Sequence, residues 1–181
     1  MRIVVDKDLC RSFGPPRDQD PRPTCMAFAA SDAHAGVRGG WQPLSAEWVY
    51  YHALKRNGGT PHDGVTMEGM LAALRLDGQP EEEAWPYIAE LFTDLTAWVP
   101  PKANPVFRRE SRPLAATIEM LIARIDADEP VLFTMSISPA FFRTGRRWCR
   151  CVHRAFAADA SPRFDRRRPW SPRRRSLRAC P

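Results

Sequence analysis

The sequence predicts an α+β protein in which helices come first and a strand comes late. Four stretches before residue 127 carry apolar residues at helical spacing between caps and breakers. One later run, "VLFTMSIS" at residues 131–138, is rich in β-branched and aromatic residues and lies between prolines, as a strand does. Eighteen prolines, several of them in connectors such as "AWPY" and "WVPPKANP", call for many turns between these elements.

Each element has its own local signal. Thr24 is placed to cap a helix from residue 25 to about residue 35, with Phe28 and Ala29 on an apolar side and Gly36 to end it. Its small residues suit a buried central helix. Ser45 is a good cap for "AEWVYYHALKR", where Glu47 in the first turn and Lys55 and Arg56 in the last complement the helix dipole. Trp48, Tyr51 and His52 share one side of it. Thr66 caps a third helix whose Met67, Met70, Leu71 and Leu74 make a single buried stripe, ending at Gly78. A fourth aligns Leu114, Ile118, Leu121, Ile122 and Ile125 and is broken by "DADEP". Residues 1–142 are read as the folded region. Beyond it "DRRRPWSPRRRSLRACP" joins blocks of like charge to prolines, a mixture that cannot easily offset its ordering entropy. Residues 143–181 are therefore expected to form a disordered tail.

Composition narrows the function classes. Hydrophobic residues make up 44% of the 181 and charged ones 27%, the balance of a globular protein with a core. The start, "MRIVVDKDLC", is interrupted by Asp6, Lys7 and Asp8 and lacks a secretory apolar region, and no apolar run approaches the roughly 20 residues of a membrane span. The expectation is a soluble, cytoplasmic protein with no membrane partner. Five irregularly spaced cysteines are a poor disulfide framework and leave thiols over. The net charge of +6 is uneven: from Arg143 on, thirteen arginines face only Asp159 and Asp165, a net +11 that leaves −5 for residues 1–142.

Chemistry concentrates in "RDQDPRPTCMAFAASDAHA", residues 17–35. Only a thiolate is strongly nucleophilic, and a helix N-terminus favours that anion by presenting unpaired N–H groups and the positive end of the dipole. Cys25 stands at such a position. An attacked amide also needs donors for the developing oxyanion, and Gln19, six residues upstream, can supply a carboxamide beside a backbone N–H.

This combination resembles the papain-like cysteine peptidases, in which a glutamine precedes by six residues the cysteine that opens the central helix. Met26 stands where the family usually has an aromatic residue, and the family's glycines near the cysteine are absent. "PLSAEWVYYHALKR" is similar to the start of the family's second helix, and Gly58 and Gly59 in "NGG" resemble its shelf for the substrate backbone. "DGVTMEGMLAALRLDGQPEEEAWPY" and "IARIDADEPVLFTMSISPAFF" resemble segments that follow in bacterial members. The resemblance implies a helical N-terminal lobe with an incomplete β-barrel C-terminal lobe, Cys25 as nucleophile, Gln19 in the oxyanion hole, a peptide or protein substrate, and no cofactor.

The family's histidine strand and its asparagine segment do not follow, and no asparagine occurs after Asn104. His153, 128 residues beyond Cys25, is the one histidine far enough along to act as base. The arginine, proline and cysteine mixture after Phe142 is what a GC-rich gene gives when read out of frame. The expectation is thus a C-terminal lobe truncated or lost to a shifted frame, and a chain that lacks a recognisable base. Cys149, Cys151 and His153 alternate as C-x-C-x-H but lack a fourth ligand and a wider loop, so no metal site is expected. A non-catalytic binding protein with a basic tail is the other reading, its tail taking an acidic partner or nucleic acid. No groove-reading module accompanies the arginines, and nucleic acid is not the expected partner.

Overall fold

The computed structural model describes residues 6–90, 96–115 and 117–136. Four α-helices organise them: α1 (Cys25–Gly36), α2 (Ala46–Asn57), α3 (Met67–Leu76) and α4 (Ile118–Asp126). The centre is α2, which packs most extensively on α3 and also on α1. Its sequence dictates this place, because Trp48, Val49, Tyr50, Ala53 and Leu54 are all buried and cover more than one side of the helix. Ala27 and Ala30 of α1 let it approach closely, and Met70, Ala73 and Leu74 of α3 fill the other flank. Burying each of the larger of these side chains stabilises the fold by about 1.5–3 kcal/mol.

Caps fix where the helices begin. Ser45 Oγ accepts from Trp48 N at 3.1 Å, Thr66 Oγ1 from Gly69 N at 3.1 Å, and Thr117 Oγ1 from Met120 N at 3.3 Å. Thr24 departs from this pattern. It precedes α1 as its sequence predicts, but with φ −104° and ψ 11° its backbone is not extended and its side chain makes no cap bond.

The expected papain-like α+β architecture, with a helical lobe and part of a β-barrel, is not what forms. Among the described residues there is no sheet and no barrel; pairing is limited to two isolated antiparallel bridges, Leu44 with Glu81 and Gln79 with Phe107. Prolines explain why neither bridge grows into a ladder. Pro43 lies beside Leu44, Pro80 separates Gln79 from Glu81, and Pro105 stands two residues before Phe107; a proline removes the N–H that the next ladder bond needs. Residues 131–136 of the predicted strand have no strand structure, and residues 137–138 lie outside the described residues. Leu132 packs against the core, whereas Phe133 and Met135 are exposed, and the run joins no strand pairing among the described residues.

α4 also departs from expectation. It starts at Ile118, leaving Leu114 in the segment before it, and none of its residues is buried. Ile118 is 70% and Ile122 54% exposed. No helix among the described residues is long and apolar enough to cross a membrane.

Candidate functional site

The turn that carries Gln19, Arg22 and Thr24 into Cys25 is built largely from polar contacts. Asp20 adopts a positive φ of 51°, and its N–H is held by Asp18 Oδ1 at 2.9 Å, an arrangement that short acidic side chains tolerate. Gln19 Nε2 then donates to the carbonyl of Arg22 at 3.1 Å. The same carbonyl accepts from Thr24 N at 2.8 Å. The turn is closed on itself immediately ahead of α1.

Its anchor is Arg22, 1% exposed, whose guanidinium meets the equally buried carboxylate of Glu47 through two bonds of 2.6 and 2.9 Å. It donates to the carbonyl of Ile88 as well. Its plane lies 5.2 Å from the rings of both Tyr50 and Tyr87, a cation–π arrangement. Glu47 accepts further bonds from Trp98 Nε1 at 2.6 Å and from Ile88 N at 3.3 Å. The sequence suggested that Glu47 serves the α2 dipole; its carboxylate is given over to Arg22 and Trp98.

Tyr87 is the second anchor. Its hydroxyl donates to the carbonyl of Gln19 at 2.5 Å and lies 2.9 Å from Thr24 Oγ1, so it spans the turn from end to end. Its ring meets Phe28 of α1 edge-to-face at 4.6 Å. Burial pushes the Tyr87 phenol up from its ordinary range, the Thr24 bond and Arg22 charge opposing only in part, so it stays a neutral hydroxyl. This pairing is why Thr24 does not cap α1.

Cys25 is the first residue of α1 and is half-buried. Gln19 is likewise half-buried, and its carboxamide has two N–H donors, of which the Arg22 carbonyl takes one. Gly58 closes α2 with a left-handed φ of 69° and is exposed. Gly59 follows it and lines a cleft of about 150 Å³ with Tyr51, Leu54, Lys55, Thr60, Pro61 and Trp98. A side chain at Gly59 would come within 2.8 Å of Leu54 Cδ2. The cleft loop is tied down by the Tyr50 hydroxyl, which donates to the carbonyls of Pro61 and Asp63 at 3.2 and 2.6 Å. Met26, next to Cys25, packs against the same core cluster that includes Leu54 and Trp98.

Two of the described histidines, His34 and His52, have partners outside the turn. His34 Nδ1 donates to Gln79 Oε1 at 2.9 Å inside the core, and burial lowers its pKa. His52 lies 3.5 Å from Asp77 Oδ1, with burial lowering its pKa and Asp77 opposing. His62 is exposed. His153, with Cys149 and Cys151, lies outside the described residues. Among the described residues no group of three or more histidine, cysteine, aspartate or glutamate side chains is arranged to hold a metal. A larger hollow of about 530 Å³ beside α3, lined by Met67, Leu71, Ala72 and Arg75 among others, includes none of the predicted site residues; Met67 and Leu71, expected in a buried stripe, are only half-buried there.

Arg22, Tyr87 and Trp98 carry no local signal of their role in the sequence, and Glu47 reads there only as a complement to the α2 dipole. The "WPY" segment holds Tyr87, but nothing local signals that Arg22 and Glu47 meet across 25 residues. No family model matches this sequence, and no curated protein is similar to it at a significant level.

Proposed function

We propose that the protein is a cysteine peptidase that cleaves peptide bonds through an acyl-enzyme on Cys25. The thiolate attacks the substrate carbonyl carbon, the C–N bond breaks as the amine leaves with a proton, and water then cleaves the thioester to release the acid and restore the thiol. Gln19 Nε2 and the Cys25 N–H are the donors for the oxyanion. Gly58 and Gly59 present backbone to an extended peptide beside the Tyr51–Trp98 cleft. His153 is the base that the sequence offers. The chemistry calls for no cofactor, and the cytoplasm keeps such a thiol reduced.

One observation carries this reading: Cys25 opens a helix whose capping hydroxyl is held elsewhere, by Tyr87. The side chain that ordinarily satisfies first-turn N–H groups is thereby kept from competing with a sulfur anion for them. Two reagents test it. Iodoacetamide alkylates a thiolate without forming an oxyanion, whereas p-nitrophenyl acetate acylates it through one. Cys25 is expected to react with iodoacetamide faster near pH 7 than an unstructured cysteine peptide, with labelling at that position lost in Cys25→Ala. Gln19→Ala is expected to slow acylation and leave alkylation unchanged. Alkylation no faster than the peptide would instead assign the chain to a non-catalytic binding role.

A further inference from the structure

The geometry points to Arg22 and Glu47 as positioning residues that aim the Gln19 carboxamide, an inference that rests on the oxyanion role proposed for Gln19. Their ion pair has both side chains at 0% exposure and joins residues 25 apart in the chain. Such a pair adds little stability beyond an apolar pair of equal volume, because withdrawing both charges from water offsets their attraction. What it supplies is direction. Two nearly parallel bonds of 2.6 and 2.9 Å set the plane of the guanidinium, and the rings of Tyr50 and Tyr87 hold it from further sides at 5.2 Å. Glu47 cannot shift in turn, since Trp98 Nε1 and Ile88 N donate to its carboxylate.

With its side chain fixed, the main chain of Arg22 is fixed too, and its carbonyl is the acceptor for Gln19 Nε2 at 3.1 Å and Thr24 N at 2.8 Å. Contact therefore runs from the Glu47 carboxylate to the Arg22 guanidinium, through the Arg22 backbone, and from its carbonyl to the Gln19 amide. Neither charged residue has to touch substrate. The pair orients a neutral donor without adding a net charge beside the oxyanion.

The test compares the full chain with its variants in the ratio of two Cys25 rates, acylation by p-nitrophenyl acetate over alkylation by iodoacetamide. In acylation the sulfur–carbon bond forms, the carbon–oxygen bond breaks and p-nitrophenolate leaves. Both rates depend on the same thiolate, so its ionisation cancels and the ratio reports oxyanion stabilisation, which a merely structural change would not move. Gln19→Ala is expected to lower the ratio about a hundredfold, the scale for one oxyanion donor. Arg22→Met with Glu47→Leu removes both charges at similar volume and is expected to lower it as far, with no further fall when Gln19→Ala is added. Arg22→Lys keeps the charge but loses the planar fork, guards against a double variant that does not fold, and is expected to give an intermediate ratio. A wild-type ratio in a folded double variant or in Arg22→Lys, with Gln19→Ala still impaired, would overturn the inference and leave the peptidase reading standing. An unchanged ratio in Gln19→Ala would overturn the oxyanion role itself, and this inference with it.

Discussion

At the scale of residues, Thr24 and Tyr87 show how a local rule is overridden from a distance. Ser45 and Thr66 cap their helices as their sequences predict. Thr24 has the same propensity, yet a tyrosine 63 residues away takes its hydroxyl. Tyr87→Phe tests what that exchange does. Losing the hydroxyl removes its bonds to Gln19 and Thr24, at a cost of about 1–2 kcal/mol in urea unfolding. The released Thr24 hydroxyl can then turn to the first turn of α1 and occupy donors that otherwise favour the sulfur anion. The pH profile of Cys25 alkylation is expected to move to higher pH, and Thr24→Val in the same chain to move it back. A profile identical in all three proteins would show that Thr24 and Tyr87 have no part in the thiol's reactivity. The site is legible at this scale only where its signals are short-range: Cys25 at a helix start and Gln19 six residues before it can be read, and the buried Arg22–Glu47 pair cannot.

At the scale of elements, α2 and α3 follow from their sequences because cap and stop agree within a dozen residues, whereas α1 forms without the cap bond its sequence predicts and only Met70 and Leu74 of the expected α3 stripe are buried. The strand expected at 131–138 rests on composition and flanking prolines, and a strand needs a partner that its own residues do not specify. Where pairing does occur it is locked by tight fit. Gly78 has φ 70°, and a side chain there would meet the Phe107 carbonyl oxygen at 2.6 Å, just where Gln79 and Phe107 exchange bonds of 2.8 and 2.7 Å. Gly78→Ala thus combines a left-handed backbone with a clash against main chain, and is expected to cost at least about 2 kcal/mol. Ser45→Ala works through polarity instead. Ser45 is fully buried, accepts from Trp48 N and donates to the Trp85 carbonyl at 2.6 Å, so its loss leaves two groups unsatisfied for about 2–3 kcal/mol. Denaturant midpoints check both; a Gly78→Ala midpoint within error of wild type would mean that the Gln79–Phe107 bridge contributes nothing to the fold.

At the scale of the whole molecule, histidine burial sets an acid limit on the fold. His34 is enclosed between α1 and Gln79, and His52 lies on α2 beside Trp48, Tyr51 and Asp77. Burial is the leading cause that lowers both from 6.5; Arg38 and Arg109 reinforce it at His34 and Arg56 at His52, while Gln79 and Asp77 oppose. A histidine depressed in the fold takes up a proton more readily when unfolded, so stability is full above pH 6.5 and falls as pH drops below it. Asp32 and Glu82 act the other way. Burial raises them above 3.8 and 4.5, opposed by Arg17 at Asp32 and by the Tyr87 N–H and Arg17 at Glu82, so as pH falls toward those values the fold binds protons more readily and acid favours it. The histidine effect begins near 6.5, where the unfolded imidazole takes up its proton and the folded one does not. The urea midpoint is therefore expected to fall between about pH 7 and pH 5.5, and to fall less in His34→Gln with His52→Gln, where neither site can gain a proton. A midpoint that holds steady across that range in the wild type, or the same decline in the double variant, would remove the histidines as its cause.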